Sequence, residues 1–289
     1  MNPPNQNSSV ALDIDHLRSW VGKSETRNDV IDTFPVRALA GLLDRESAPR
    51  EGDALPLAWQ WMYFLDTPAR AATGVDGHPL RGGFLPPVPL PRRMWAAGKL
   101  QSLAPLVIGR AATKTSTVRN VELKQGKAGP LVFVTVSHEF AQDGQTCLVE
   151  EQNLVYREAP TAAAPLPPGE LATAPATWTR QWHADNALLF RYSALTYNGH
   201  RIHYDREYAT QDEFYPALVV HGPLLATLLL DMLHRERPDV QPRAFEFRAQ
   251  RPAFDTDPLT ICGSPNESGA SLWTTDPAGH VGVKARASF

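Results

Sequence analysis

The chain has 289 residues, of which 43% are hydrophobic and 20% are charged, so it can bury a substantial core as one large or two modest domains. Its 28 basic and 31 acidic residues leave a formal charge of -3, which excludes broad attraction to nucleic acid or to an anionic membrane surface. The two cysteines, Cys147 and Cys262, match no zinc or redox spacing. They are predicted to be buried thiols in a reducing, cytoplasmic compartment.

The first half of the chain, residues 11–158, is predicted to form an α+β unit. The polar residues 1–10 before it show no secretory pattern and are expected to be disordered. The segments "IDHLRSWVG" and "FPVRALAGLLDR" have helical spacing, and residues 106–158 have the pattern of long strands separated by glycine turns. The prolines of residues 76–98 favour an ordered loop over the sheet.

The second half, residues 176–289, is predicted to be a similar unit joined to the first by a proline- and alanine-rich linker at residues 159–175. A short strand, "TWTRQWH", precedes a helix capped by Asp185, and an apolar helix of about 15 residues has Pro223 in its first turn. Its apolar run contains Asp231 and is shorter than the roughly 20 residues that cross a bilayer, so a buried core helix is expected. Three alternating stretches then predict three strands, the last two joined by an Asp-Pro-Ala-Gly turn. The expected arrangement is a sheet wrapped around a helix, with an internal duplication.

Residues 197–205, "YNGHRIHYD", concentrate polar and titratable side chains and allow three interpretations. His200, His203 and Asp205 offer the ligand types of a metal site. An Asn-Gly pair after a helix is also typical of a solvated polar turn. The third interpretation is proton transfer by one histidine, because an imidazole gains and loses a proton near neutral pH.

The downstream segment "HGPLL" favours proton transfer. The first backbone N–H groups of a helix have no intrahelical acceptor and carry partial positive charge, and Gly222 would let a ligand oxygen approach them closely. Such a helix start is a predicted oxyanion hole, which suits reactions that turn a thioester carbonyl into an enolate. His221 would either contact the ligand or form a hydrogen bond within the core.

The runs "ALTYNGHRIHYDREYA" and "VVHGPLLATLLLDML" resemble the MaoC-like hydratases, in which Asp, Asn-Pro, His and Asp precede a His-Gly pair that opens the central helix. Upstream, "RGGFLPPVPLPRRMWAAG" and "GPLVFVTVSHEF" are similar to the branch that includes itaconyl-CoA and mesaconyl-C4-CoA hydratases and a mitochondrial 3-hydroxyacyl-thioester dehydratase. The resemblance implies a double hotdog fold with two antiparallel sheets, each wrapping a helical element. It also implies a hydro-lyase that adds water reversibly to a 2-enoyl-CoA, with a degenerate first half that binds substrate and a catalytic second half.

The resemblance assigns the acid–base role to His203 and the oxyanion hole to Gly222, with His221 beside it. Asn198 stands where the family has its catalytic aspartate, and an amide cannot accept a proton at neutral pH. Either His203 both activates water and returns the proton while Asn198 orients the water, or a second group assists. The nearest candidates for a second group are Tyr197, His200 and Asp205.

Similarity to this branch implies a branched C4-dicarboxylyl substrate, itaconyl-CoA or mesaconyl-C4-CoA, with citramalyl-CoA as its hydrated form. CoA is then part of the substrate, and neither a metal nor a redox cofactor is expected. A free carboxylate favours a guanidinium that can form two parallel hydrogen bonds. The first candidate is Arg201, followed by Arg81, Arg92 and Arg93, of which the last two could instead contact CoA phosphates.

Two other functions are compatible with these residues. A thioesterase on the same fold would also use an oxyanion hole and a base. A non-catalytic acyl-CoA-binding module is the other alternative, and Asn198 is the residue that favours it. Exposed sheet edges favour a homodimer, and neither nucleic acid nor a membrane is an expected partner.

Overall fold

The computed structural model describes residues 12–126 and 129–289, and the segment 1–10 expected to be disordered lies outside these ranges. In each half, helices precede a run of consecutive antiparallel strands, which confirms the α+β prediction. The first half contains α1 (Ile14–Arg18), β1 (Ser24–Val30), α2 (Thr33–Leu42), β2 (Arg92–Ser102), β3 (Ala111–Gly126), β4 (Gly129–Gln142) and β5 (Gln145–Arg157). The second half contains β6 (Trp178–Trp182), α3 (Asn186–Leu195), α4 (Gly222–Glu236), β7 (Ala244–Ala249), β8 (Leu259–Asn266), β9 (Gly269–Thr275) and β10 (Val281–Ser288). Short helical turns lie at Trp59–Met62, Arg70–Ala72, Arg201–His203 and Tyr208–Asp212.

The ten strands form one antiparallel sheet in the order β1-β3-β4-β5-β2-β7-β10-β9-β8-β6. The two halves meet edge to edge where β2 pairs with β7, with Gly98 opposite Phe247. A Cβ atom at Gly98 would lie 2.5 Å from the Phe247 ring, so a glycine is needed at this junction. The two predicted sheets therefore join into one, because each half offers the other an edge with backbone groups to pair.

Helix α4 is the centre of the larger apolar core. Residues 224–233 are all buried, and the helix contacts β8, β9 and β10. Asp231 is buried among them because its carboxylate pairs with Arg45, Arg180 and Arg235 at 2.7, 3.2 and 2.7 Å. The predicted buried core helix is confirmed, since a helix that is apolar nearly all round requires such wrapping. Within the described ranges, no helix has the length and apolarity required to cross a bilayer.

The two helices of the second half begin in different ways. Helix α3 starts as predicted, with the Asp185 carboxylate accepting a hydrogen bond from the Leu188 N–H at 2.7 Å. Helix α4 starts at His221 and Gly222 with a proline in its first turn and with no side chain capping its N–H groups. The amino terminus of α4 therefore keeps its donors available.

Two predicted elements differ from the structure. The loop predicted over residues 76–98 ends at Pro91, because no proline follows and β2 can begin at Arg92. The final stretch forms two strands, β9 and β10, rather than one, with the turn at residues 276–279 between them. The linker at residues 159–175 contains no helix, and a 2.8 Å backbone hydrogen bond from Val281 ties it to the start of β10.

Candidate active site

The two segments singled out in the second half meet at the start of helix α4. The rings of His203 and His221 stack with their centroids 3.7 Å apart and their planes inclined by 19°. His221 immediately precedes α4, so His203 lies beside the amino terminus of the helix. The structure thus brings together the predicted base and the predicted oxyanion hole.

One hydrogen bond fixes the tautomer of His203. Its Nδ1 atom lies 2.7 Å from the carbonyl oxygen of Val219, which can only accept, so Nδ1 carries the hydrogen and Nε2 keeps a lone pair. Burial lowers the pKa of His203 to about 4, although the hydrogen bond to Val219 opposes the shift. At neutral pH His203 is therefore an uncharged imidazole with one nitrogen available as a base.

His221 belongs to the core behind the site. Its side chain is fully buried, and Nε2 lies 2.8 Å from Oγ of Ser193. Its Nδ1 atom has no hydrogen-bond partner among the residues that the structure describes. Burial, followed by the charges of the neighbouring histidines, holds the pKa of His221 well below its usual range. This geometry favours the core interpretation of His221 over direct contact with substrate.

A loop of the first half, from which Arg81 but neither Asp76 nor His78 was predicted to take part, completes this histidine group. The ring of His78 lies 4.1 Å from the ring of His200 between centroids, and His200 meets the edge of the His203 ring at 5.5 Å. The Asp76 carboxylate lies 3.2 Å from Nδ1 of His78. Four imidazoles therefore form a row that runs from His78 to His221.

Glycines allow the two halves to touch at this row. Gly77 has a positive φ of 87°, and a Cβ atom there would lie 1.8 Å from the carbonyl oxygen of Gly199. Next to this contact, the N–H of Arg201 donates to the carbonyl oxygen of Asp76 at 2.9 Å. Any side chain at Gly77 would push the loop of the first half away from the site.

Asp76 is a carboxylate that faces uncharged rings. Burial tends to raise its pKa, but the hydrogen bonds from His78 outweigh burial and hold the pKa below its usual range. Burial lowers the pKa values of His78 and His200. Ligand atoms of these three residues lie within 4.8 Å of one another, so this donor set would also suit a divalent ion such as Zn²⁺. It differs from the set proposed from the sequence, in which Asp205 was the carboxylate.

A cavity of about 880 Å³ lies in front of the histidine row. Its wall combines the two halves, with His78 and Arg93 from the first and Ser193 and Asn198 from the second. This volume is in the range of small-molecule sites and can hold an acyl chain with part of a pantetheine arm.

The start of helix α4 lies one layer behind the cavity wall. His203 is 7% exposed, and neither it nor Gly222 borders the cavity. Ser193 does border it and is hydrogen-bonded to His221. A substrate in the cavity would therefore meet Ser193, Asn198 and His78 before it reached His203.

Asn198 and Tyr197 both lie at the cavity but in different settings. The Oδ1 atom of Asn198 accepts a hydrogen bond from the N–H of His200 at 3.0 Å, which leaves its NH₂ group as a donor. Tyr197 has a φ of 49°, is 59% exposed and, among the described residues, has no hydrogen bond to a histidine. Tyr197, one of the predicted assisting groups, is thus less well placed than His78. His78 was not among the residues predicted from the sequence.

Arg201 and Asp205, both predicted to contact substrate, are bound to each other. Nε and Nη2 of Arg201 lie 2.9 and 2.7 Å from one carboxylate oxygen of Asp205. The other oxygen accepts from the N–H of Tyr208 at 3.1 Å, and the guanidinium lies 4.2 Å from the centre of the Tyr208 ring. This pairing disfavours the predicted contact of Arg201 with the substrate carboxylate, because its guanidinium is occupied by a carboxylate of the protein.

The other three arginine candidates differ in what they bind. Arg92 is buried and pairs with both the side chain and the backbone carbonyl of Glu213, which also disfavours its predicted substrate contact. Arg81 donates to backbone carbonyl oxygens, among them that of Val88 at 2.6 Å, and so closes its own loop. Arg93 borders the cavity and makes no hydrogen bond or ion pair within residues 12–126 and 129–289. Of the four candidates, it is the one that borders the cavity with no described partner for its guanidinium.

Packing does not explain the glycine that opens α4. A Cβ atom at Gly222 would meet nothing nearer than the carbonyl oxygen of Trp95, at 4.0 Å. As the first residue of the helix, Gly222 has an N–H group with no intrahelical acceptor. The position therefore suits close approach of a ligand oxygen to the helix start.

A neutral base beside an uncapped helix start is an arrangement suited to proton transfer next to a thioester carbonyl. Residues 58–255 match the family described as hydroxyacyl-thioester dehydratase type 2. The chain is also 44% identical over 271 residues to mesaconyl-C(4)-CoA hydratase of Chloroflexus aurantiacus, which covers 92% of this chain and 95% of that relative. The chain belongs to the type 2 hydroxyacyl-thioester dehydratase family of hydro-lyases.

Solved structures confirm the predicted fold. A MaoC-like dehydratase superposes with a TM-score of 0.69 at 13% identity, over 93% of this chain and 98% of that one. A Mycobacterium tuberculosis protein with a double hotdog fold superposes with a TM-score of 0.57 at 12% identity, over 93% and 95% of the two chains. At these identities the likeness establishes the double hotdog fold alone.

Proposed function

We propose that this protein catalyses the reversible addition of water to the double bond of a 2-enoyl-CoA thioester. The observation that carries the proposal is the stacking of His203 on His221, the residue that precedes α4, which places a base next to an uncapped helix start. Membership of the dehydratase family supports the same reaction class. CoA enters as part of the substrate, and the scheme uses neither a metal nor a redox cofactor.

In this scheme one imidazole handles the transferred proton. Nε2 of His203 takes a proton from water as the water oxygen bonds to the β carbon. The π electrons shift toward the thioester oxygen, where the N–H of Gly222 and the positive end of α4 stabilise the enolate. Nε2 then returns the proton to the α carbon, so one water is added with no change in charge or oxidation state.

Two neighbours take over the positioning of water that a carboxylate at position 198 would provide. Asn198 donates from its NH₂ group to the water oxygen. Asp76 holds the hydrogen of His78 on Nδ1, which leaves Nε2 of His78 as an acceptor for the second water hydrogen. We assign this role to His78 because it is the ring of the row that borders the cavity.

The proposed substrate is a branched C4-dicarboxylyl thioester, itaconyl-CoA or mesaconyl-C4-CoA, with citramalyl-CoA as the hydrated product. The name of the Chloroflexus relative supports this choice, and so does the free guanidinium of Arg93 at the cavity wall. A wall that carried only apolar groups would instead favour an unsubstituted fatty enoyl chain.

The remaining predictions concern the setting of the enzyme. We propose a homodimer, since β1 and β6 are the outer strands of the sheet and each leaves one edge unpaired. We also keep the prediction of a reducing, cytoplasmic compartment, which the two free, buried cysteines support. Light scattering of the purified chain tests the first proposal, and fractionation of the producing cells tests the second.

The test of the reaction is incubation with a panel of enoyl-CoA thioesters that includes itaconyl-CoA and mesaconyl-C4-CoA, followed by mass spectrometry. Hydration predicts products heavier by one water with no free thiol. Release of free CoA would instead identify a thioesterase, and binding without any product would identify a non-catalytic module. Full activity after exhaustive chelation is expected, and activity restored only by a divalent ion would contradict the scheme.

A further inference from the structure

We propose that Arg93, together with Tyr156, binds the free carboxylate of the acyl chain and so distinguishes dicarboxylyl thioesters from simple enoyl thioesters. This inference rests on the proposed function, because it assigns the substrate's second carboxylate to a place in the same cavity. It replaces Arg201 and Arg92, whose guanidinium groups are bound to protein carboxylates.

The backbone places the two side chains as neighbours. Arg93 in β2 and Tyr156 in β5 lie directly opposite each other in the antiparallel ladder, so both project from the same face of the sheet. Both border the cavity. A ligand group that reached one of them would therefore lie next to the other.

Tyr156 has a buried hydroxyl group whose hydrogen bonding the described part of the fold does not satisfy. The residue is 0% exposed, and its phenolic oxygen has no hydrogen-bond partner among the described residues. A buried hydroxyl without a partner is unfavourable, and most buried polar groups in proteins are satisfied. A carboxylate oxygen would supply the missing acceptor.

The positive charges on this wall also favour the binding of an anion. Arg93 has no acidic partner within the described ranges, and Arg81 donates only to neutral carbonyl oxygens. The Arg81 guanidinium lies 5.5 Å from the centre of the Tyr156 ring, so both cations are near the same phenol. A carboxylate bound here would be held by the planar fork of Arg93 and attracted by the fixed charge of Arg81.

The position of Arg93 favours the acyl carboxylate over the CoA phosphates. Arg93 borders the same cavity as His78, which is the ring of the histidine row that faces this cavity. The row is the reacting end of the proposed site, whereas the CoA phosphates lie at the far end of the pantetheine arm. Arg93 therefore faces the part of the ligand where a second carboxylate would be.

The test compares two thioesters of equal chain length that cannot be hydrated. Succinyl-CoA ends in a carboxylate and butyryl-CoA ends in a methyl group, so the ratio of their dissociation constants measures carboxylate recognition alone. We expect Arg93→Gln to weaken succinyl-CoA binding by about 30- to 100-fold and to change butyryl-CoA binding by less than about threefold. Arg93→Lys keeps the charge but not the fork, so it should fall between wild type and Arg93→Gln. Tyr156→Phe should weaken succinyl-CoA binding by about fivefold.

Arg70→Gln is the matched control, because it removes one positive charge from an exposed residue at the cavity rim. It should leave the succinyl-to-butyryl ratio unchanged. Equal weakening of both thioesters by Arg93→Gln would overturn the inference and indicate a CoA-phosphate contact. Hydration of mesaconyl-C4-CoA and crotonyl-CoA by the same proteins separates the two proposals. A lost carboxylate preference with no water added to any thioester would leave the binding site standing and remove the proposed reaction.

Discussion

The two halves of the sheet bring different chemistry to the same candidate site, at the cavity wall and in the layer behind it. The second half contributes His203 and His221, which are buried and uncharged, beside a helix start. The first half contributes Asp76 and the arginines Arg81 and Arg93, which carry charge at the wall. A duplicated fold can thus assign reaction chemistry to one copy and recognition of a polar substrate to the other. Each variant below changes a group that belongs to one half, so its effect shows whether the division is real.

Removing the base should have the largest effect. His203→Ala is expected to lower kcat for enoyl-CoA hydration by about 100- to 10,000-fold, the usual contribution of a positioned acid–base group. Stopped-flow absorbance of the enoyl thioester measures the rate. His16→Ala, at an exposed position on α1, controls for the loss of an imidazole as such. A His203→Ala enzyme with wild-type turnover would remove His203 from the mechanism.

Blocking the start of helix α4 should have the second-largest effect on kcat. Gly222→Ala is expected to lower kcat by about a hundredfold, because the added methyl group would hold the thioester oxygen away from the helix donors. The nearest atom to that methyl group is 4.0 Å away, so the melting temperature should stay at its wild-type value. Parallel measurement of kcat and melting temperature separates the two effects. Unchanged kcat in a folded variant would mean that no oxyanion approaches this position.

Removing the Asp76 carboxylate should lower kcat less, since Asp76 acts through His78. Asp76→Asn keeps the backbone carbonyl that binds Arg201 but removes the charge facing Nδ1 of His78. We expect kcat to fall about tenfold to a hundredfold with little change in KM. Adding Asn198→Asp to this variant should restore part of the loss by returning a carboxylate to the second half. A rise in KM alone would show that Asp76 serves binding rather than the proton transfer.

The smallest effect should be on stability in acid. Burial lowers the pKa of His203 to about 4 in the folded protein. As the pH falls below about 6.5, His203 therefore becomes protonated in the unfolded chain while it stays neutral in the folded chain. The free energy of unfolding should therefore be highest above about pH 6.5 and decline toward pH 4, with His203 contributing about 2 kcal/mol of this loss at pH 5. Urea denaturation of wild type and His203→Ala at pH 7 and pH 5 measures it. Equal pH dependence in both proteins would contradict the buried, neutral state of His203.

Local patterns predicted the second half well. Asp185, Pro223 and the apolar run after it specify helix starts and a buried helix through capping and periodicity, which act over a few residues. The meeting of His203 with the start of α4 was also predicted, on the strength of a family resemblance.

Contacts between the halves could not be predicted in this way. The approach of Asp76 and His78 to His200 depends on the pairing of β2 with β7 and on the close contact of Gly77 with Gly199, residues far apart in the chain. The ion-pair partners of the arginines are equally hard to predict, since Glu213, which binds Arg92, lies far from it in the sequence. The tripeptide Asp-Gly-His in a proline-rich loop was the signal that could have drawn attention to this region.

The central claim is that water adds to the acyl chain while the thioester stays intact. Reaction of mesaconyl-C4-CoA in ¹⁸O-labelled water, analysed by mass spectrometry, tests it most directly. The account predicts one ¹⁸O atom in the β-hydroxyl group of an intact CoA thioester, formed by the wild-type enzyme and lost in His203→Ala. The label in the carboxylate of a released acid, with free CoA in equal amount, would contradict it.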